Sequence, residues 1–316
     1  AFPTDHPLHI GAPATFPSGA LKEALRSADV ILSLDWVDLG GTLNAACGAA
    51  PGGKVIQISL DHQLHNGWSM DHQALPPVDL LLPADPDSAV AALLGELAIV
   101  PSPEPVEPAL APAPEASAGV ISVSRLARTL RAATADHAVS LLHVPLAWNA
   151  ADWPLRHPLD YIGTEGGAGI GGGPGIAVGA ALALRGTGRL PVAVLGDGDF
   201  LMGVTALWTA VHYHIPLLVV VANNRSFFND EMHQERVARM RGRAVENRWI
   251  GQRLADPEID LAQLGRAQGT TGLGPIADAA ALPAALREAV AVVAGGGVAV
   301  VDVRVEPGYS PPAKRG

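Results

Sequence analysis

Two polar clusters, each at the end of an apolar segment, are the parts of this sequence best suited to chemistry. Gly196-Asp197-Gly198 follows one predicted strand, and Asn223-Asn224 ends the next. A helix-length segment between them completes a βαβ unit, in which ligands bind at the carboxyl ends of the parallel strands. We therefore expect Asp197 and Asn224 to lie side by side, although they are 27 positions apart.

The two clusters offer oxygen ligands together with close access to the backbone. Asp197 supplies an anionic oxygen and Asn224 a neutral amide oxygen, ligands that suit Mg²⁺ when phosphate and water complete its shell. Gly196 and Gly198 lack side chains, so that the backbone can come close to a phosphate group. A helix predicted to begin near Phe200 points free N–H groups at the same place. This chemistry predicts a magnesium–diphosphate site.

Alternating strand-like and helix-like segments must position these clusters, and such alternation predicts parallel sheets. In the first part of the chain the predicted strands are Asp29–Asp35, Lys54–Leu60 and Asp79–Leu82, and the predicted helices are Leu21–Ser27, Thr42–Ala50 and Asp87–Leu97. In the second part the predicted strands are Ala138–Val144, Val192–Leu195, Leu217–Ala222 and Gly297–Val303. The predicted helices there are Ser122–Ala133, Ile176–Leu184, Phe200–His214, Asp256–Gly269 and Asp278–Ala294, with a further helix entered near Glu231.

The domain organisation follows from a proline-rich, acidic segment, Pro101–Ser117, which is typical of a semi-rigid linker. We predict a partial first domain at residues 1–98, a linker at 99–119, a second domain at 120–306 and a tail at 307–316. Three strands are few for a complete domain, so the first domain is predicted to be only part of one. The fold class is therefore α/β, with two Rossmann-like parallel-sheet domains joined by the linker.

The spacing of Gly-Asp-Gly and Asn-Asn resembles the cofactor motif of thiamine-diphosphate (ThDP) enzymes, and the glycine-rich stretch Gly166–Ala181 resembles the segment that precedes it. The group most similar is that of acetolactate synthase, benzoylformate decarboxylase and oxalyl-CoA decarboxylase. The resemblance covers Val120–Val305 strongly and Ala1–Leu97 more loosely. The alternative is an unrelated α/β protein with tight turns at two strand ends.

The resemblance implies roles for individual residues. Mg²⁺ is expected on Asp197, Asn224 and the carbonyl of Ser226. Ile170 falls on the position that props the cofactor in its bent form, and the backbone of Gly169 on the one that meets the aminopyrimidine. Because glycines stand at 171–173 where relatives carry bulkier residues, we expect an unusually open wall there. The full set of expected cofactor-binding residues is Gly169, Ile170, Gly171, Gly196, Asp197, Gly198, Asp199, Asn224, Ser226 and Phe227.

One part of the expected machinery is missing from this sequence. In the family, a glutamate from a separate N-terminal domain, usually across a dimer interface, contacts the aminopyrimidine. Glu165 lies outside that pattern, so no catalytic residue is assigned here, although His233 is a candidate proton shuttle. The chain also begins at Ala1 without methionine. We expect the C-terminal part of a longer or split enzyme that is inactive alone and forms a dimer or tetramer.

The predicted function is that of a ThDP- and Mg-dependent carbon–carbon lyase, decarboxylase or ligase, acting on a 2-oxo acid or an acyl-CoA-type small molecule. The alternative is a non-catalytic subunit that binds ThDP or a nucleotide. Asp61 ends a strand that lies near FAD or ADP in nucleotide-binding relatives, and whether either binds here stays open. The loop after Val144 departs from the family because Leu146, Ala147 and Trp148 stand where relatives carry Ser or Thr hydroxyls; Asn149 is a candidate substitute.

Composition limits the class of partner. The net charge is −10, and no basic patch indicates binding of nucleic acid. The arginines between Arg236 and Arg248 alternate with glutamates and form either a solvated helix face or a cover for the site. A single cysteine, Cys47, excludes a disulfide framework and fits a reducing cytoplasm. No apolar run has the length of a membrane span.

Overall fold

The computed structural model describes residues 3–11, 18–36, 38–48, 50–61, 75–97, 118–163 and 169–307. The chain divides into two compact units, Phe2–Pro108 and Ala109–Gly316, with Ala1 grouped with the second. The division falls inside the predicted linker. Most of that linker and of the predicted tail lie outside the described residues, so the domain boundaries stay a prediction.

The first unit contains a three-stranded parallel sheet in the order β1-β2-β3. Its strands are β1 (Val30–Leu34), β2 (Lys54–Ile58) and β3 (Leu80–Leu82), and its helices are α1 (Gly19–Ser27), α2 (Leu39–Cys47) and α3 (Pro86–Glu96). The side chains of Ser18 and Asp85 accept hydrogen bonds from first-turn N–H groups of α1 and α3, which fixes where those helices begin.

The second unit contains a five-stranded parallel sheet in the order β4-β5-β6-β8-β7. Its strands are β4 (Val139–His143), β5 (Leu190–Gly196), β6 (Leu217–Asn223), β7 (Thr271–Ile276) and β8 (Val298–Arg304). Its helices are α4 (Val123–Ala133), α5 (Gly173–Ala183), α6 (Asp197–Gly203), α7 (Ala206–His212), α8 (Phe228–Met240), α9 (Leu261–Ala267) and α10 (Leu282–Ala294), with short 3₁₀ helices at Ala150–Asp152 and Pro158–Asp160. The α/β fold class with two parallel sheets is confirmed.

The central strands of this second sheet are buried on both faces, as expected for a parallel sheet covered by helices. Alternate residues of β5 face opposite sides of the sheet. Val192 and Val194 pack in a core with α4 and α10, whereas Ala193 and Leu195 pack in a core with α5, α7 and α9. Two full hydrophobic layers therefore fix the edge at which β5 and β6 end.

Several predicted boundaries in the second unit were wrong. The helix expected from Phe200 begins at Asp197 and is interrupted between α6 and α7. The helix expected from Asp256 begins at Leu261, because the Asp260 side chain accepts a hydrogen bond from the N–H of Gln263 and so caps it there. The helix expected from Asp278 begins at Leu282.

Strand β7 was missed altogether. Its sequence, TGLGPI, contains two glycines and a proline and lacks the apolar alternation of a strand. It pairs in parallel with β8 at the edge of the sheet. The hydrogen bonds to β8 stabilise a strand that its own sequence does not favour. Across the described part of the chain, no helix is both long and apolar enough to cross a membrane.

Candidate diphosphate and metal site

The structure brings the two predicted clusters together. The backbone N–H of Ser226 donates to Oδ2 of Asp197 at 3.1 Å and lies 2.9 Å from Oδ1 of Asn224. Both oxygens therefore converge on one N–H group at the carboxyl edge of β5 and β6. The other carboxylate oxygen of Asp197 accepts a hydrogen bond from the N–H of Gly198 at 2.8 Å. The convergence provides two hard oxygen donors in one place.

Asp197 is a buried carboxylate, only 3% exposed. Burial raises its pKa to about 6, although hydrogen bonds from the backbone N–H groups of Gly198 and Ser226 favour the ionised form. In the part of the chain that the structure describes, Asp197 forms no ion pair. A bound cation would supply the counter-charge that this carboxylate lacks.

A tight turn after β6 presents Asn224 and Ser226. Arg225 has a positive φ of 61°, a conformation that non-glycine residues seldom adopt. The side chain of Asn223 holds this turn, since its Oδ1 accepts from the N–H of Arg225 at 3.1 Å. Its Nδ2 donates to Oδ1 of Asp302 on β8 at 2.8 Å. The first asparagine of the pair thus anchors the turn, and the second faces the site.

The glycine-rich turn before α5 forms the opposite side. Oδ1 of Asp199 accepts hydrogen bonds from the N–H groups of Gly171 at 2.6 Å and Gly173 at 3.2 Å. Gly171 has φ +97°, which favours glycine there. Ile170, next to this turn, is 50% exposed and lines the cleft. Asp199 therefore organises the turn that carries the predicted cofactor prop.

The expectation of an unusually open wall at 171–173 was wrong. A Cβ at Gly173 would overlap the Asp199 carboxylate, and one at Gly171 would lie 2.9 Å from Cβ of Met202. A Cβ at Gly172 would come within 3.3 Å of the carbonyl of Gly169. Gly171 and Gly173 pack closely against α6, so these two glycines bring the turn and the helix together, and none of the three positions leaves extra space.

Between the two sides lies a cleft of about 330 Å³. A Cβ at Gly169 or Gly196 would meet no atom within 4 Å, so the backbone at both positions borders open space. The cleft is lined by apolar, acidic and neutral polar groups and by His143, and none of the described lining residues is lysine or arginine. Its acidic and apolar side chains include those of Leu146, Ile170, Asp197, Asp199, Phe227 and Phe228.

The structure places the remaining predicted residues as follows. Phe227 packs against Gly198 so closely that a Cβ there would overlap its ring. His233 lies exposed on α8 and is not among the cleft residues, and its role as a proton shuttle stays a prediction. Asn149 caps the first 3₁₀ helix through a 3.0 Å hydrogen bond from the N–H of Ala151, away from the cleft lining. Glu165 lies outside the described residues.

Sequence reasoning missed three residues that support the site. His143 ends β4 in the cleft wall, with Nδ1 3.1 Å from the carbonyl oxygen of Val194 and Nε2 3.8 Å from Oδ2 of Asp199. Asp302 anchors Asn223, and Glu231, 4% exposed, accepts a hydrogen bond from the Ser226 hydroxyl. An acidic residue within an otherwise apolar strand was an available signal for Asp302. For Glu231 and His143 the sequence offers none.

The residues present fit a diphosphate bridged to the protein by a cation. Among the described residues no group of three or more His, Cys, Asp or Glu could hold a metal ion. A cation here would instead take one carboxylate, one amide oxygen and further oxygens from the backbone and the ligand, which is a donor set typical of a magnesium–phosphate site.

Comparison with known proteins agrees with this geometry. The family described as "Thiamine pyrophosphate enzyme, C-terminal TPP binding domain" matches residues 145–303. A stretch of 73 residues is 36% identical to benzoylformate decarboxylase of Pseudomonas aeruginosa, covering 23% of this chain and 13% of that protein.

Two solved structures share the fold. The thiamine diphosphate-dependent 4-hydroxybenzoylformate decarboxylase of Rhodococcus jostii has a TM-score of 0.65 and 23% identity over 92% of this chain and 51% of that one. Benzoylformate decarboxylase of Polynucleobacter necessarius has a TM-score of 0.65 and 18% identity over 93% of this chain and 52% of that one.

The chain thus spans about half the length of these solved structures. The family match covers half of the chain and includes β5, α6, β6 and the turn after it, where the candidate ligands lie. The chain belongs to the family of thiamine pyrophosphate enzymes, through its C-terminal TPP binding domain.

Proposed function

We propose that this chain is the diphosphate-binding part of a Mg²⁺- and ThDP-dependent enzyme that cleaves a carbon–carbon bond of a 2-oxo acid, most simply a decarboxylase. The observation that carries the proposal is the convergence of Asp197 and Asn224 on one N–H in a cleft without lysine or arginine among its described lining residues. A diphosphate cannot enter such an acidic cleft favourably unless a cation accompanies it.

The roles of the residues follow from their positions. Asp197 and Asn224 hold the cation, with the Ser226 carbonyl as the third protein ligand. Gly196 and Gly198 leave the backbone accessible to the diphosphate, and Ile170 supplies an apolar prop on the opposite side of the cleft. Thiamine diphosphate, when bound, supplies a thiazolium that accepts the electron pair released at the substrate carbonyl carbon.

The substrate class rests on the relatives and on the apolar part of the cleft. The matched proteins are named for benzoylformate and 4-hydroxybenzoylformate decarboxylation. Phe227, Phe228 and Leu146 line the cleft here and give one part of it an apolar surface. An acyl-CoA-type substrate is the alternative that the proposal leaves to experiment.

None of the described residues is assigned the role of the acid that contacts the aminopyrimidine. We assign the acid that contacts the aminopyrimidine to an N-terminal pyrimidine-binding domain or partner chain, in a dimer or tetramer. Ile170 is half exposed in the cleft wall, as expected of a prop whose cofactor lies between two domains. The chain by itself is expected to show no turnover of 2-oxo acids.

Thermal unfolding with defined ligands tests the binding half of the proposal. Mg²⁺ and ThDP together should raise the melting temperature, with a stabilisation of about 2.7 kcal/mol at a ligand concentration a hundredfold above Kd. ThDP with a chelator, thiamine with Mg²⁺, NAD and ATP should each leave it unchanged. Equal stabilisation by ThDP with and without a divalent cation would contradict the proposed metal bridge.

Two matched variants assign the effect to the site. Asp197→Asn should abolish the Mg²⁺-dependent stabilisation, because a neutral amide replaces the only carboxylate among the three proposed ligands. Asp302→Asn makes the same chemical change in a buried aspartate that does not line the cleft, and should retain it. Loss of the response in both variants would indicate a general effect of mutation on the sheet edge.

A further inference from the structure

The loop that carries the proposed metal ligands is bound to a long segment after α8. This segment, residues 241–255, is called the strap here. The N–H of Phe227 donates to the carbonyl of Gln252 at 3.0 Å, and the N–H of Leu254 donates to the carbonyl of Arg225 at 2.8 Å. Together they form an antiparallel bridge between Ser226 and Arg253. The ligand loop and the strap are therefore one hydrogen-bonded unit.

A buried carboxylate stands at the centre of this unit. Glu231, in the first turn of α8, is 4% exposed and accepts a hydrogen bond from the Ser226 hydroxyl. Its two oxygens lie 3.9 Å from Nε of Arg253 and 4.0 Å from Nε of Arg248, both in the strap. One side chain thus contacts both the ligand loop and the strap.

We propose that Glu231 is a positioning residue of the metal site, fixing Ser226 so that its carbonyl completes the cation shell and coupling cation binding to the strap. The inference rests on the proposed function. Ser226 is the residue through which it acts. Its N–H donates to Asp197 and lies within hydrogen-bonding distance of Asn224, and its hydroxyl is held by Glu231, so that every polar group on the residue except the carbonyl is engaged with these neighbours.

Two arginines of the strap lie beside this carboxylate. Arg248 and Arg253 are part of the strap and lie beside Glu231, and Arg253 stacks over the Trp249 ring at 5.1 Å. A buried carboxylate destabilises the folded protein unless it is paired and hydrogen-bonded. The pairing explains why Glu231 remains in the interior, and it makes the strap the means by which the ligand loop is held.

The first test compares two glutamates of the same helix. Glu231→Ala should raise the apparent Mg²⁺ dissociation constant, measured at saturating ThDP by melting-temperature titration, about tenfold, the usual effect of losing one buried hydrogen bond. Glu231→Gln keeps an acceptor for Ser226 and should stay within about twofold of wild type. Glu235→Ala is the matched control, because Glu235 pairs with Arg248 at 3.1 Å and with Arg239 but lies on the next turn of α8.

A second variant approaches the same hydrogen bond from its other end. Ser226→Ala removes the hydroxyl and keeps the carbonyl, and it should weaken Mg²⁺ binding by a factor similar to that of Glu231→Ala. The double variant should bind Mg²⁺ no more weakly than Glu231→Ala alone, because that variant has already removed the hydrogen bond between Ser226 and Glu231. Additive effects would overturn the proposal, as would a Glu231→Ala protein that melts lower without ligand but binds Mg²⁺ as tightly as wild type.

Hydrogen exchange in the ligand-free protein separates failure of this inference from failure of the proposed function. Glu231→Ala should speed exchange of the Ser226 and Leu254 amides together, whereas Glu235→Ala should not. Unchanged protection of Ser226 overturns the positioning role whatever the cofactor. If wild type shows no Mg²⁺-dependent response to ThDP, the proposed function fails, and this measurement still decides whether Glu231 holds the loop to the strap.

Discussion

Two buried aspartates, Asp199 and Asp302, support the two sides of the cleft in different ways. Each uses one carboxylate oxygen, Oδ1, to hold a turn, and in each the second oxygen, Oδ2, is buried. Asp199 accepts from two backbone N–H groups and lines the cleft. Asp302 accepts from the side chain of Asn223, the backbone N–H of Leu261 also favours its ionised form, and the residue is fully buried.

The two aspartates differ in their position relative to the cleft. Oδ2 of Asp199 faces Nε2 of His143 at 3.8 Å in the cleft wall. Asp302 does not line the cleft, and burial raises its pKa. Asp199 therefore holds a turn from within the cleft wall, whereas Asp302 holds the turn after β6 from the interior of the sheet, at a cost to stability.

The largest expected effect comes from disturbing the Asp199 side by packing. Gly173→Ala places a methyl group against the Asp199 carboxylate and Leu195, and should destabilise the protein by about 2–3 kcal/mol, as overpacking of a tight core does. Gly179→Ala, in the same helix, meets open space and should stabilise it by up to about 1 kcal/mol. Urea unfolding of both variants measures the difference.

The informative quantity in that experiment is the difference in unfolding free energy between Gly173→Ala and Gly179→Ala. If Gly173→Ala is tolerated as well as Gly179→Ala, the turn can move away from α6, and Asp199 does not fix it. The proposed cofactor prop at Ile170 would then have to be positioned by something other than the two hydrogen bonds from Gly171 and Gly173.

The two sides of the cleft were not equally predictable from the sequence. Asp197 and Asn224 could be placed together because long apolar strands and a βαβ connection fix which edge they reach. The glycine run correctly predicted a turn. It also led to the wrong prediction of an open wall, because the sequence does not show which neighbouring atoms fill the space left by an absent side chain. Asp302 and Glu231 act across 79 and 5 positions respectively, through side-chain hydrogen bonds that only the folded chain defines.

Exchanging the two aspartates for alanine should separate their roles. Asp302→Ala leaves the buried amide of Asn223 without its acceptor and should cost roughly 1–2 kcal/mol of unfolding free energy. Asp199→Ala should cost less, because Asp199 and Gly173 line the cleft, yet it should weaken ThDP binding more. Urea unfolding and ThDP titration of both variants test this, and the same ranking in both assays would remove the distinction between the two residues.

The smallest expected effect is a pH dependence that belongs to Asp302. Burial raises its pKa above the ordinary 3.8, and nearby Asp260 adds to the shift, while the hydrogen bond from Asn223 and the charge of Arg304 oppose it. As the pH rises above 3.8, the unfolded chain releases this proton before the folded one does. Unfolding therefore releases a proton in that window, and the free energy of unfolding falls with rising pH until the folded-state pKa is passed.

Asp302→Asn isolates this contribution, because the amide keeps the size of the side chain and an oxygen that can accept from Asn223. The difference in unfolding free energy between variant and wild type should shift in favour of the variant as the pH rises from 4 to 8, since Asp197 titrates equally in both proteins and cancels. Urea unfolding at several pH values measures it. A difference that is constant across this range would mean that Asp302 is no more costly to ionise than an exposed aspartate, and the two sides of the cleft would then be supported alike.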